Sequence, residues 1–214
     1  ACAPYRRLHL CSHNLESISD YDSNARHKLL AEVCMAAYYE GDLIKTHYTK
    51  HQQTNPGSQL CTVLARSFAD IGDIVRGKGL FLGNDKEKEK REDLEKNLKK
   101  IFKQIHDDVT TNGKNGAKEL QTRYKDDTDK KNFYRLREDW WTANRHTVWE
   151  AITCNAKGYQ YFRPTCGDSG DGKGPSVAQK QCRCDGRNGT NADQVPTYFD
   201  YVPQYLRWFE EWAE

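Results

Sequence analysis

The chain has 214 residues, 30% charged and only 36% hydrophobic, although 5 Trp, 12 Tyr and 7 Phe supply bulky apolar surface. Its 33 basic and 31 acidic residues leave a net charge of +2; this excludes a strong global field, so a polyanion must be met by a local patch, and no nucleic-acid partner is expected. No apolar run reaches the length of a membrane-spanning helix, and Ala1-Cys2-Ala3-Pro4 does not read as a signal peptide, so the route to an oxidising compartment is expected to lie in sequence outside this chain.

Residues 1 to about 24 lack periodicity and carry Cys2, Pro4 and Cys11, which reads as an irregular, disulfide-tied segment. A helix is predicted over 23–39, with Leu29, Leu30, Val33, Ala36 and Ala37 on its apolar face and Gly41 at its end. Residues 47–58 read as a polar loop holding Asn55-Pro56-Gly57. A second helix is predicted over 59–75, where Leu60, Val63, Leu64, Phe68 and Ile71 recur at helical spacing. Cys34 and Cys61 fall near facing ends of these helices, and a bridge between them is an expectation.

Residues 85–109 are intensely charged but carry one stripe of Leu94, Leu98, Ile101, Phe102, Ile105 and Val109, the pattern of an amphipathic helix. A turn at 112–116 leads to a short helix ending near Tyr124. The longest helix is predicted over 129–154, with Phe133, Leu136, Trp140, Asn144, Val148 and Ala151 on its buried side. Residues 155–195, rich in Gly and Cys, read as a long irregular excursion. A last helix begins near Pro203 and runs through Trp208 and Trp212. The domain division is therefore 1–58, irregular with one helix, and 59–214, a helix bundle interrupted at 155–195.

Eight cysteines, Cys2, Cys11, Cys34, Cys61, Cys154, Cys166, Cys182 and Cys184, suit an oxidising compartment. Structural zinc draws ligands in pairs such as C-x₂₋₄-C, and the spacings here up to Cys182, namely 9, 23, 27, 93, 12 and 16, do not fit. Cys182 and Cys184 flank one residue and are expected to bond elsewhere, since a bridge between them would be strained. The connectivity stays open, because eight cysteines allow about 105 pairings.

No catalytic or metal constellation emerges, so neither enzyme activity nor a cofactor is expected. His9 with His13, and His47 with His51, have helical spacing but lack the intervening glutamate of a zinc protease. Gly77-Lys78-Gly79 lacks the rest of a phosphate loop. Asp168 and Asp171 lie in a Gly-rich stretch, 167–174, that follows no predicted strand and departs from calcium-loop spacing. Arg137 falls inside the apolar stripe of the long helix and needs an internal partner, for which Asp70 or Asp73 are the candidates. Trp140 and Trp141 read as core.

The sharper candidate is a lysine face. Lys96, Lys99, Lys100 and Lys103 cluster opposite the Leu94–Val109 stripe, and no acidic residue lies between Lys96 and Lys103 in sequence. Lys114 and Lys118 follow after the turn. Most charge runs are solvated helix faces; several lysines acting together also suit a sulfated polysaccharide such as heparin or heparan sulfate.

Several blocks resemble a known family. Cys2 to Leu8, Ala65 to Ile74, Leu136 to Arg145, Gln181-Cys182-Arg183-Cys184 and Val195 to Trp212 occur in the order found in the Duffy-binding-like alpha domain of Plasmodium falciparum erythrocyte membrane protein 1. The resemblance implies a mainly α Duffy-binding-like fold: an irregular, disulfide-tied first subdomain and a helix-bundle second one. A third helical subdomain normally follows and would be largely absent here. It further implies host-cell adhesion by a variant surface antigen of malaria, displayed extracellularly on the infected erythrocyte by a membrane-anchored parent whose anchor lies outside this chain. The implied partners are red-cell receptors, heparan-sulfate-like glycans or blood-group sugars in rosetting, and adjacent domains of the same parent. The glycan candidates are Lys96, Lys99, Lys100, Lys103, Lys114 and Lys118. The other expectation is a structural, antigenically variable module that positions a neighbouring receptor-binding domain. Asn188-Gly189-Thr190 is a glycosylation sequon expected to be little used.

Overall fold

The apolar stripe of the first helix does not stop at Gly41. In this computed structural model, which describes residues 25–79, 85–111, 116–129, 132–168, 174–184 and 193–213, helix α1 runs over Ala25–Thr54. Leu29, Val33, Ala36 and Ala37 are fully buried, and the same face continues through Gly41 to Tyr48. The expected helix end near residue 39 and the expected loop over 47–58 are thereby corrected. Gly41 is present for room, since a Cβ there would lie 2.0 Å from the Ile152 carbonyl oxygen. A residue that looks like a terminator is a point of close helix approach. Tyr48 closes the stripe: its hydroxyl donates to the Ser58 carbonyl at 2.8 Å.

Helices α2 (Leu60–Arg76) and α3 (Asp85–Thr111) follow their predicted spans. The α3 stripe is buried at Leu94, Leu98, Ile101, Phe102 and Ile105, with Val109 half-buried. The short α4 (Ala117–Arg123) is held to the end of α3 by Gln121, which donates to the Thr110 carbonyl at 2.5 Å. The long helix begins later than its pattern suggests. A separate α5 (Lys125–Asp129) precedes α6 (Tyr134–Ile152), and Phe133 between them takes a left-handed φ of 54°. Burial of the Phe133 ring offsets a backbone cost of roughly 1–3 kcal/mol. Asp127 replaces the missing cap, accepting from the amides of Arg135 at 3.1 Å and Leu136 at 2.9 Å.

Both α1 and α2 pack on α6, so its buried arc is wider than one stripe. Leu136, Trp140 and Val148 are buried as expected, Asn144 and Ala151 only half-buried, and Trp141 and Trp149 join the core. Phe68 of α2 sits 5.1 Å from the Trp141 ring and 5.2 Å from the Trp149 ring. Arg137 is fully buried and internally paired, but its partner is Glu95 of α3, which receives two bonds of 3.0 Å. Asp70 and Asp73 are occupied instead by Arg207, at 2.8 and 2.5 Å, from helix α7 (Gln204–Ala213). That side of α6 faces α3, which explains the change of partner.

Residues 155–195 are not wholly irregular. Strand β1 (Pro164–Asp168) pairs antiparallel with β2 (Pro175–Val177), placing Cys166 opposite Ser176. The Gly-rich stretch therefore does follow a strand, which corrects the expectation for Asp168; Asp171 lies outside the described residues. Cys182 and Cys184 do reach elsewhere: Cys184 bonds Cys166, and Cys182 bonds Cys61 on α2. The expected Cys34–Cys61 bridge is thus corrected, because Cys61 is taken by a partner 121 residues away. In the chain-entropy account a loop that long restrains the unfolded state by about 5 kcal/mol. Cys34 and Cys154 carry free thiols among the described residues. Burial, with the Glu150 carboxylate nearby, pushes the Cys34 thiol up to about 11. Cys2 and Cys11 lie outside the described residues.

The close approach of α1 to α6 gives a sharp expectation. Gly41→Ala should lower stability by about 1–3 kcal/mol in urea unfolding, because the new methyl overpacks a backbone contact. Gly57→Ala, where no atom lies within 4 Å of the added Cβ, should leave the midpoint unchanged. Equal midpoints for both variants would contradict this packing.

Candidate ligand-binding surface

The buried stripe of α3 fixes which way its lysines point. Lys96, Lys100 and Lys103 are exposed and Lys99 is half-buried. Round the helix, however, acidic neighbours approach that sequence order hides. Asp93 lies 3.0 Å from Lys96, Glu95 3.8 Å from Lys99, and Asp107 2.7 Å from Lys103. Asp93 holds the Lys96 ammonium above its usual range, and burial of Asp107 is outweighed by the bonds from Lys103 and His106, which hold its carboxyl low. Such exposed pairs are worth about 0–1 kcal/mol and exchange readily for another anion. Lys100, and Lys118 on α4, have no carboxylate partner among the described residues. Lys114 lies outside them.

The other sequence candidates do not assemble into chemistry. His47 and His51 are exposed on the last turns of α1, and His9 and His13 are outside the described residues. Among the described residues no group of three metal-ligating side chains forms, and no helix is long and apolar enough to cross a membrane.

A second feature escaped the sequence reading. An open cleft of about 590 Å³ lies where the end of α2 meets α4 and the first turns of α6, lined by Lys78, Arg123, Tyr134, Arg135, Glu138 and Asp139. Arg123 grips Asp139 with two bonds of 2.6 and 2.7 Å, and the Tyr124 hydroxyl adds a third at 2.9 Å. These bonds, led by those from Arg123, hold the Asp139 carboxyl below the usual range against its partial burial. Glu138 is flanked by Lys78 and by Arg76 at 3.6 Å. Arg135 spends one N–H on the Arg123 carbonyl at 2.9 Å and makes no ion pair among the described residues. Glu138 and Asp139 belong to the Leu136–Arg145 block and Lys78 to Gly77-Lys78-Gly79, but nothing in sequence joins them to Arg123, Tyr134 and Arg135, with which they converge only through the fold.

The blocks that resembled a family in sequence now stand in one fold, and comparison with known proteins agrees. The Duffy binding domain profile matches residues 1–207. The chain belongs to the Duffy binding domain family. Among solved structures it is similar to the NTS-DBL1(alpha-1) domain of membrane protein 1 (PfEMP1) from the varO strain of Plasmodium falciparum, with 40% identity and a TM-score of 0.73, covering 100% of this chain and 43% of that one. It is likewise similar to the varO double domain of NTS-DBL1-alpha and CIDR-gamma, with 39% identity and a TM-score of 0.72, covering 100% of this chain and 28% of that one. Erythrocyte Binding Antigen 140 of the same organism shares the fold at 19% identity and a TM-score of 0.52, over 99% of this chain and 25% of that one. No curated protein matches. The chain thus spans less than half the length of the solved relatives, and its mainly α, disulfide-linked architecture is a Duffy-binding-like fold.

The Arg123–Asp139 pair ties α4 to α6 in a pH-dependent way. A carboxyl held below its unfolded value of 3.8 stabilises the fold above that pH, and the contribution is lost as pH falls through the folded value. Both groups are more than 30% exposed, so Asp139→Asn should cost only about 1 kcal/mol at pH 7. The difference from the parent should vanish in urea unfolding below the folded value; a difference that persists undiminished to pH about 2 would contradict the assignment.

Proposed function

We propose that this chain is a host-cell adhesion domain of a variant surface antigen on infected erythrocytes, a binding module without enzymatic activity. It binds red-cell receptors or heparan-sulfate-like glycans and contributes to rosetting, in which infected cells gather uninfected ones. The observation that carries this reading is the family match along residues 1–207, together with 40% identity to a PfEMP1 DBL1-alpha domain. The lysine face of α3 supports a polyanion contact: Lys96, Lys99, Lys100 and Lys103 share one solvent-facing side, and Lys118, with Lys114 beyond α3, extends the candidate site. Sulfates arrayed along a glycan can displace the weak pairs to Asp93, Glu95 and Asp107, because their combined field acts on all the lysines together.

One observation favours a second reading. Three of the four α3 lysines are already paired to carboxylates on the same helix. A face neutralised in this way suits an antigenically variable structural module that positions an adjacent receptor-binding domain of the parent.

Retention on immobilised heparin separates the two. Changing Lys96, Lys99, Lys100 and Lys103 to Glu takes the net charge from +2 to −6, four reversals of two charges each. A control reverses Lys28, Lys50, Lys157 and Lys180, which lie outside α3, Lys28 half-buried and the other three exposed. The adhesion reading predicts that the α3 variant elutes near the start of a salt gradient while the control stays close to the parent. Equal behaviour of the two variants would remove the α3 face from the site.

A further inference from the structure

The shallow cleft between α2, α4 and α6, largely open to solvent, is a second candidate surface beside the lysine face. Its volume lies within the range of small-ligand sites, about 300–1,000 Å³. Five of its side chains carry charge, but the charges are not equivalent. Asp139 is satisfied by Arg123 and Tyr124, and Glu138 lies between Lys78 and Arg76. Arg135 alone among these cations makes no close ion pair among the described residues: its charge reaches Asp139 one turn on without a hydrogen bond, and four of its five N–H donors are unspent.

Beside Arg135 the Tyr134 ring is 49% exposed. Its edge approaches Gly77, where an added Cβ would lie 3.3 Å from Tyr134 Cε1 and 2.7 Å from Arg137 Nη1. Glycine at that left-handed C-cap, with φ 71°, keeps the floor of the cleft clear. The cleft therefore presents an aromatic face, a guanidinium fork with free donors, and the carboxylates of Glu138 and Asp139 one turn along the same helix. A bare anion would engage Arg135 alone, because Arg123 and Lys78 already serve Asp139 and Glu138. A neutral sugar would leave Arg135 without its complement. A ligand with an apolar ring face, hydroxyl donors and one anionic substituent answers all three.

We propose that this cleft binds a single hexopyranose unit bearing one anionic group, a carboxylate or a sulfate, with the anion on Arg135, the ring face on Tyr134 and hydroxyls toward Glu138. A guanidinium pairs with such groups through two parallel N–H bonds. An aromatic ring adds contact to the apolar side of the ligand at small entropic cost. The source of the sugar rests on the adhesion reading above, whereas the site itself is independent of the α3 lysines.

The test is an amide-shift titration of the isotope-labelled 214-residue chain with methyl β-D-glucuronide, N-acetylglucosamine 6-sulfate, neutral methyl β-D-glucoside and inorganic sulfate. Saturable shifts at Lys78, Tyr134 and Arg135 are expected with at least one anionic sugar, and whichever binds more tightly identifies the group. The neutral glucoside and inorganic sulfate should each bind about tenfold more weakly or not at all. Arg135→Gln should weaken the anionic sugar by about tenfold, and Tyr134→Ala by about fivefold, with unchanged circular dichroism. The α3 lysine variant should titrate like the parent even where it has lost heparin. No saturable shift with either anionic sugar, inorganic sulfate binding as tightly as the sulfated sugar, or undiminished binding to Arg135→Gln would each overturn the site. Heparin retention would then still stand or fall by itself.

Discussion

Three buried carboxylates hold this molecule together. Asp70, Asp73 and Asp200 are almost wholly inaccessible, and each meets a guanidinium from an element far away in sequence. Both oxygens of Asp200, in the 3-10 turn Phe199–Tyr201, are gripped by Arg145 of α6 at 2.8 and 2.9 Å, and the Trp141 indole donates to it at 2.9 Å. Arg76 of α2 reaches both Asp73, at 3.0 Å, and the Asp200 backbone carbonyl. Arg207 of α7 joins Asp70 and Asp73. An unpaired charge in such surroundings would cost several kcal/mol, so each member is tolerable only while the others are in place. The network therefore fixes α2, α6 and α7 as a unit, and the Cys61–Cys182 bridge ties the hairpin of β1 and β2 to the same helix.

That arrangement confines the demands of folding to the interior. Apart from Glu95, which compensates buried Arg137, the outward side of α3 has only to be soluble, so its lysines can serve a partner. The same holds for the rim of the cleft, whose floor is set by Gly77 and by buried Arg137, while Tyr134 and Arg135 face solvent. The physical consequence is that surface charge and ring positions can change without unpairing a buried ion.

Much of the architecture was legible because burial writes a period into sequence. The α3 stripe from Leu94 to Val109 survives, since that helix buries one face; the Leu60–Ile71 spacing marks α2 as a helix, but α2 is buried on nearly every side from Leu64 to Asp73, while Val63 is only half-buried. Legibility failed where a contact comes from elsewhere in the chain. Gly41 looks like a helix end until Ile152 is beside it, and Trp149 falls outside the single stripe predicted for α6 until α2 covers a second side. Asp127 caps α6 across a break that a continuous pattern concealed. Arg137 announced its need for a partner but not which one, because Glu95 lies 42 residues earlier and enters through α3. The lysine face was visible in sequence, while its pairing with Asp93, Glu95 and Asp107 requires the helix surface to be wrapped. The cleft could not be assembled from sequence, because its three elements meet only in the folded chain.

Coupling within the buried network is best measured by a double-mutant cycle across Arg145 and Asp200. Unfolding free energies would be compared for the parent, Arg145→Met, Asp200→Asn and the double variant, with disulfides intact. A charged, hydrogen-bonded pair at the centre of the scaffold predicts strong non-additivity, about 2–3 kcal/mol, with the double variant far less damaged than the sum of the singles. Additivity within about 0.5 kcal/mol would mean that the two residues act independently, and that burial of aromatic surface alone holds α6 to the Phe199–Tyr201 turn.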